Sequence, residues 1–160
     1  MKFPVVLLSC VFLTGCIMVV PVPQPKGVTR TVPATVETTG FGGALNDLRA
    51  TENLAGVGQD PRLTRAAQAH ADHMAQAGYF SHRSPGGPNG DTLIARITNA
   101  GCNAGAMSEN IAQGQRSEAE VLAAWVASPG HRKNMLGPRY RSYGLGRSGD
   151  IWVLNFSDGC

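Results

Sequence analysis

From Phe41 onward the apolar residues recur at helical spacing. Leu45 and Leu48, with Glu52 in line and Ala44 and Ala55 on neighbouring turns, predict a helix ending near Gly56. The next segment has clearer ends: Asp60 can cap, Pro61 suits the first turn and Gly78 can terminate. Its stripe is Leu63, Ala66, Ala67, His70, Met74 and Ala77. Tyr79 to Gly90 is turn-rich and reads as a loop; Asp91 or Thr92 then caps a short helix through Leu93, Ile94 and Ile97, stopped by Gly101. Met107 to Ala112 predicts a strand. Ser117 with Glu120 forms a capping box before Val121, Leu122, Trp125 and Val126, and after Pro129-Gly130 a further turn runs from His131 to Leu136.

Two strands, near Tyr140 to Arg147 and Asp150 to Phe156, meet at Ser148-Gly149. In the second, Trp152, Leu154 and Phe156 share one face while Ile151 and Val153 take the other, so the strand must be covered on both sides. Helices above and below a sheet follow: an α+β, three-layer α/β/α sandwich. With 160 residues, one such domain is the natural reading.

The pattern before Phe41 is different. Lys2 precedes an apolar run from Phe3 to Leu13, too short for a bilayer span, which needs about 20 apolar residues. It ends in Leu13-Thr14-Gly15-Cys16, which looks like a bacterial lipobox. Residues 1–15 are therefore expected to be a lipoprotein signal peptide and Cys16 the lipidated new N-terminus, with more than one acyl chain needed for stable anchoring. Residues 16–40, rich in Pro and Thr, read as a tether, and residues 41–160 as the domain. The expected location is the cell envelope, anchored to the membrane by lipid. Ile17 after Cys16 lacks the Asp that retains some lipoproteins at the inner membrane, so the outer membrane or the extracytoplasmic face is expected.

Charge and cysteine content refine this picture. From Phe41 to Cys160 there are 11 basic and 10 acidic residues, a balance that does not suit nucleic acid. With Cys10 lost in the signal and Cys16 acylated, Cys102 and Cys160 are left to pair in an oxidising compartment. Arg132, Lys133, Arg139, Arg141 and Arg147 lie close in sequence, but a scattered, solvated surface is expected rather than a polyanion site.

Three segments carry candidate chemistry: Phe80-Ser81-His82-Arg83-Ser84-Pro85, Ser108-Glu109-Asn110-Ile111-Ala112, and Trp125 to Asn134, which contains Gly130-His131. With Ala69-His70-Ala71, Met74 and Gly144-Leu145-Gly146, in this order, they resemble the bacterial branch of the CAP superfamily. Its other members include cysteine-rich secretory, antigen-5 and pathogenesis-related proteins. The resemblance implies an α/β/α sandwich with a mainly antiparallel sheet and a cavity lined by two His and two acidic residues. Motif matching assigns His82, Glu109 and His131; the remaining acidic place falls on Ser128, so the tetrad is incomplete. Glu118 and Glu120 lie on the same helix, and the sequence does not say whether either substitutes.

Two imidazoles and a carboxylate offer two chemistries. His82 and His131 could ligate a divalent metal such as zinc, or one ring could exchange protons with Glu109 setting its tautomer. No nucleophile is marked; the Ser128 hydroxyl has a helix-terminus explanation in Pro129. His70 is expected to be a packing residue and His73 to be solvated. The expected function is binding of a lipid or other small envelope ligand with no required cofactor. The alternatives are a metal-dependent hydrolase with Glu109 as general base, and a surface adhesin in which the cleft is only architecture.

Overall fold

A computed structural model of the chain describes residues 40–160. The expected signal peptide, the lipidation at Cys16 and the tether up to residue 39 lie outside the described residues. Among the described residues no helix is long and apolar enough to cross a membrane.

Helix α1 spans Phe41–Thr51, stopping short of Gly56. Asn53 adopts the left-handed conformation (φ 57°), and the N–H groups of Glu52 and Leu54 both turn back to the Arg49 carbonyl (3.1 and 3.0 Å). The cause lies in Arg49 itself. Its side chain is fully buried and donates from Nε to Ala55 O (2.9 Å), folding the chain back under the helix. The short strand β1, Gly58–Gln59, has no counterpart in the hydrophobic pattern.

Helix α2, Pro61–Ala77, has the expected ends: the Asp60 carboxylate accepts from the N–H groups of Arg62 and Leu63 (2.7 and 3.4 Å), and Gly78 turns left-handed. Its buried face includes Ala71, whereas Ala77 is exposed because the helix outruns the sheet it covers. Helix α3, Leu93–Asn99, is capped by Thr92 Oγ1, which accepts from Ala95 N–H (3.2 Å). Here the expected stripe is wrong by one position: Ile94 is 65% exposed, and Arg96 is buried beside Ile97. Strand β2 is Met107–Gln113; helices α4, Glu118–Ala127, and α5, Pro129–Met135, follow; strands β3, Ser142–Ser148, and β4, Ile151–Ser157, close the chain. Ser117 Oγ caps α4 from Glu120 N–H (3.2 Å), while the Glu120 carboxylate takes the N–H of Arg116 (2.7 Å) instead of closing the box.

The sheet runs in the order β1-β3-β4-β2, parallel only between β1 and β3. Every residue of β4 is buried. Trp152, Leu154 and Phe156 pack with Phe41 and Leu45 of α1, Val121 and Trp125 of α4 and Met135 of α5. Ile151 and Val153 pack with Ala67, Ala71 and Met74 of α2. This is the three-layer α/β/α sandwich with a mainly antiparallel sheet. Helix α2 sits almost on the strands, because Gly144 and Gly146 of β3 face it. A Cβ at Gly144 would lie 2.2 Å from backbone atoms of Leu63 and Thr64, and one at Gly146 would lie 2.3 Å from Gln68 N. Cys102 and Cys160 form the expected disulfide.

Candidate functional site

Strand alternation builds the centre of the site. Along β2, Glu109 and Ile111 oppose Asn155 and Val153 of β4, so both face α2. Asn110 opposes Leu154 and faces the opposite layer. One strand thus serves both layers through neighbouring residues. The Asn110 amide donates to the His131 carbonyl (3.0 Å), and Asn134 Nδ2 donates to Asn110 Oδ1 (2.8 Å) and Glu109 O (3.2 Å). These bonds clamp α5, and with it His131, onto β2.

On the α2 side Glu109 is buried and its carboxylate has both oxygens engaged. Oε1 lies 2.9 Å from His82 Nδ1. In the neutral ring Nδ1 therefore carries the proton and donates, and the Nε2 lone pair is left open on a side chain that is 57% exposed. Oε2 accepts from Arg96 Nη2 at 2.7 Å. The Asn155 amide, oriented with its nitrogen toward Glu109, donates to Oε2 as well (3.2 Å).

Arg96 is the residue that the sequence motifs missed. It is 1% exposed, and besides Glu109 it donates to the His82 carbonyl (3.1 Å) and to Ser84 Oγ (3.0 Å). One guanidinium therefore holds the carboxylate and the loop bearing His82 in fixed relation. His70 of α2 secures the same loop, its Nε2–H donating to Ser81 O (3.0 Å). Burial pushes the His70 pKa down to about 4, with the Arg96 charge adding and Glu109 opposing, so this ring is neutral and structural. His73 is half-buried rather than solvated: Nδ1 lies 2.8 Å from the Tyr79 hydroxyl and the two rings meet edge-on.

His131 is tied to β2 through its backbone carbonyl, which accepts from the Asn110 amide (3.0 Å). Its pKa is lowered first by burial and then by the charge of His82. Ser128 marks the break between α4 and α5, and its side chain makes no capping bond there. Neither Glu118 nor Glu120 stands in for the missing acid. The Glu118 carboxylate accepts from Phe41 N–H (2.8 Å) at the start of α1, and Glu120 is held by Arg116 N–H. Trp125 is a core residue whose indole donates to Ile111 O (3.3 Å). The basic residues disperse: Arg132 pairs with Glu52 (2.7 Å), Arg139 with Asp158 (3.3 Å), and Arg147 lies over Trp152 (4.4 Å).

Zinc fits this donor set poorly. A catalytic zinc takes about three protein ligands, and beside the open His82 ring stands a carboxylate that is fully engaged, with a guanidinium 2.7 Å from it. Among the described residues no three His, Cys, Asp or Glu side chains are gathered so as to hold a metal ion.

Comparison with known proteins matches this architecture. The chain is 34% identical over 136 residues to the protein YkwD of Bacillus subtilis (strain 168), covering 82% of this chain and 49% of that one. It is 27% identical to the membrane protein YlbC of the same organism, covering 83% and 38% respectively. The chain thus spans half or less of the length of these curated relatives. Among solved structures it is similar to an extracellular protein containing a SCP domain from Bacillus anthracis str. Ames, with TM-score 0.68 and 28% identity over 73% of this chain and 38% of that one. An outer surface protein from Borrelia burgdorferi shares the fold at TM-score 0.65 and 23% identity, over 74% of this chain and 89% of that one. The family model described as CAP, cysteine-rich secretory protein family, matches residues 43–156, and the chain belongs to that family.

Proposed function

We propose that the protein is an extracytoplasmic binding protein, anchored to the membrane through lipid on Cys16, whose His82–Glu109–His131 cluster recognises a small envelope ligand. The observation that carries this reading is the double engagement of Glu109. A general base needs a free oxygen toward its substrate, and both oxygens here are bound inside the protein, one to His82 and one to Arg96. That argues against the hydrolase alternative. What remains open is His82 Nε2, a fixed acceptor suited to a ligand hydroxyl.

A groove that could take the rest of such a ligand adjoins the same loop. Phe80, two residues before His82, is 45% exposed, and the groove, of about 490 Å³, is lined by apolar Met74, Tyr79, Phe80 and Ile151 and by polar Gln113, Ser148 and Asp150. A lipid with a hydroxyl headgroup suits both features. The extracellular, outer-surface and membrane descriptions of the similar proteins support an extracytoplasmic location.

The test is solvent extraction of the purified protein followed by mass spectrometry, then binding of matched lipids with and without a headgroup hydroxyl. His82→Ala is expected to weaken binding of the hydroxyl-bearing member at least about tenfold, the loss of one buried polar contact. Absence of any extracted or bound lipid overturns the binding reading; an unchanged His82→Ala variant overturns its placement. Anchoring is tested separately: incorporation of labelled fatty acid is expected in the wild type and lost in Cys16→Ser.

A further inference from the structure

We infer that Arg96 sets the specificity of the cluster by disabling His82 as a divalent-cation ligand. The inference rests on the reading of the cluster as a binding site and concerns what that site refuses.

A carboxylate hydrogen-bonded to the far nitrogen of a ligating imidazole ordinarily strengthens the ring as a donor and offsets part of the metal's charge. His82 and Glu109 have that geometry, with Nδ1 and Oε1 2.9 Å apart. The second oxygen, however, is bound at 2.7 Å by a guanidinium that is 1% exposed on its side chain, against 3% for the carboxylate. The buried pair is electrically neutral. A dication at His82 Nε2 would face a cation that solvent does not screen and that cannot relieve the repulsion by losing its proton.

Escape by movement is also closed. The same Arg96 Nη2 that holds Glu109 binds the His82 carbonyl (3.1 Å), and Nη1 binds Ser84 Oγ (3.0 Å). Releasing Glu109 to a metal would strand the guanidinium and loosen the loop carrying the first ligand. No other acid compensates, since position 128 is Ser, Glu118 binds Phe41 N–H and Glu120 binds Arg116 N–H. The buried arginine and the absent acid act in the same direction.

The test is calorimetric titration of zinc into the full chain purified in detergent, with cobalt absorption as a report of coordination. The wild type is expected to bind zinc weakly. Arg96→Met frees the Glu109 charge to act through His82, and zinc affinity is expected to rise about tenfold, the size of effect that outer-shell partners exert. Adding Glu109→Gln to that variant is expected to abolish the gain. Arg96→Gln keeps an amide donor for Glu109 and the His82 carbonyl while removing the charge, so it too is expected to gain at least about tenfold. Wild-type binding as tight as in either variant, or no gain in a folded Arg96→Met, overturns the proposal. Should Arg96→Met fail to fold, an Arg96→Gln variant without a gain overturns it alone. Failure of the binding reading itself shows elsewhere, in a protein that yields no extracted lipid and binds none of the panel, which zinc titration does not touch.

Discussion

Reducing the Cys102–Cys160 bridge should cost the protein most of a typical domain's stability margin while leaving its folded structure in place. The two cysteines are 58 residues apart in sequence. In the chain-entropy treatment, closing a loop of that length restricts the unfolded chain by about 4 kcal/mol at 25 °C. The folded state does not need the covalent bond to bring these segments together. Strands β2 and β4 already pair Met107 with Ser157, Asp158 N–H donates to Ala106 O (3.1 Å), and Gly105 N–H donates to the Asp158 carboxylate (2.9 Å). Reduction therefore acts on the unfolded ensemble, not on native contacts. Fully buried Trp125 and Trp152 report unfolding by fluorescence. Urea curves with and without reductant should share a native baseline and differ by about 4 kcal/mol in extrapolated free energy, with a larger slope for the reduced protein because its unfolded chain exposes more surface. A loss under about 1 kcal/mol would refute the reasoning, since the unfolded chain would then already hold the two ends close.

Other perturbations test other layers. Gly144→Ala drives a Cβ into the backbone of Leu63 and Thr64 and should destabilise by about 3 kcal/mol, whereas Gly130→Ala, with nothing within 4 Å, should stay within about 0.5 kcal/mol in the same urea assay. Arg49→Met strips the donor from the carbonyls of Ala55, Met135 and Gly137 and should cost about 2–4 kcal/mol by thermal unfolding, with Arg49→Lys only partly restoring it. Acid should weaken the fold through His70. Its folded pKa of about 4 lies below the ordinary imidazole value of 6.5, so the unfolded chain binds a proton that the folded one refuses. The contribution is complete above pH 6.5 and fades toward pH 4, at up to about 1.4 kcal/mol per pH unit. His131 adds in the same direction. A His70→Gln variant whose stability falls as steeply as the wild type between pH 7 and 4.5 would rule this out.

The sandwich was legible because its ends and faces are written locally. Asp60-Pro61 and Gly78 bound α2, Thr92 and Ser117 cap their helices, and the two apolar faces of β4 require a layer on each side. Less legible was whatever depends on distant partners. Strand β1 is two residues paired with β3, below any periodic signal. The early end of α1 follows from a buried Arg49 bound to carbonyls as far along the chain as Tyr140. In α3 a stripe reading prefers Ile94 to Arg96, because apolar periodicity has no means of favouring a charged residue inside. The signal that could have found Arg96 is its register: it stands three residues after Leu93 and just before Ile97, on the face that packs.

The two buried arginines show why Arg96 belongs to the site and not merely to the core. Arg49 lies in the opposite layer and its guanidinium is satisfied by carbonyl oxygens, several of them near the carboxyl end of α5, where the helix dipole favours a cation. No carboxylate takes part in those bonds, and burial lowers its pKa. The fold can therefore hold an arginine without an acid partner. Arg96 is also within reach of carbonyls, those of His82 and Asp91, yet its shortest contact is the Glu109 carboxylate. Glu109 in turn is the residue that fixes the His82 tautomer. Replacing the pair by apolar side chains would cost the fold little by the usual behaviour of buried ion pairs, but it would leave His82 Nδ1 without an acceptor and its ring free to turn. Arg96 holds Glu109 in place, and Glu109 in turn fixes His82 Nδ1 so that the other imidazole nitrogen stays open.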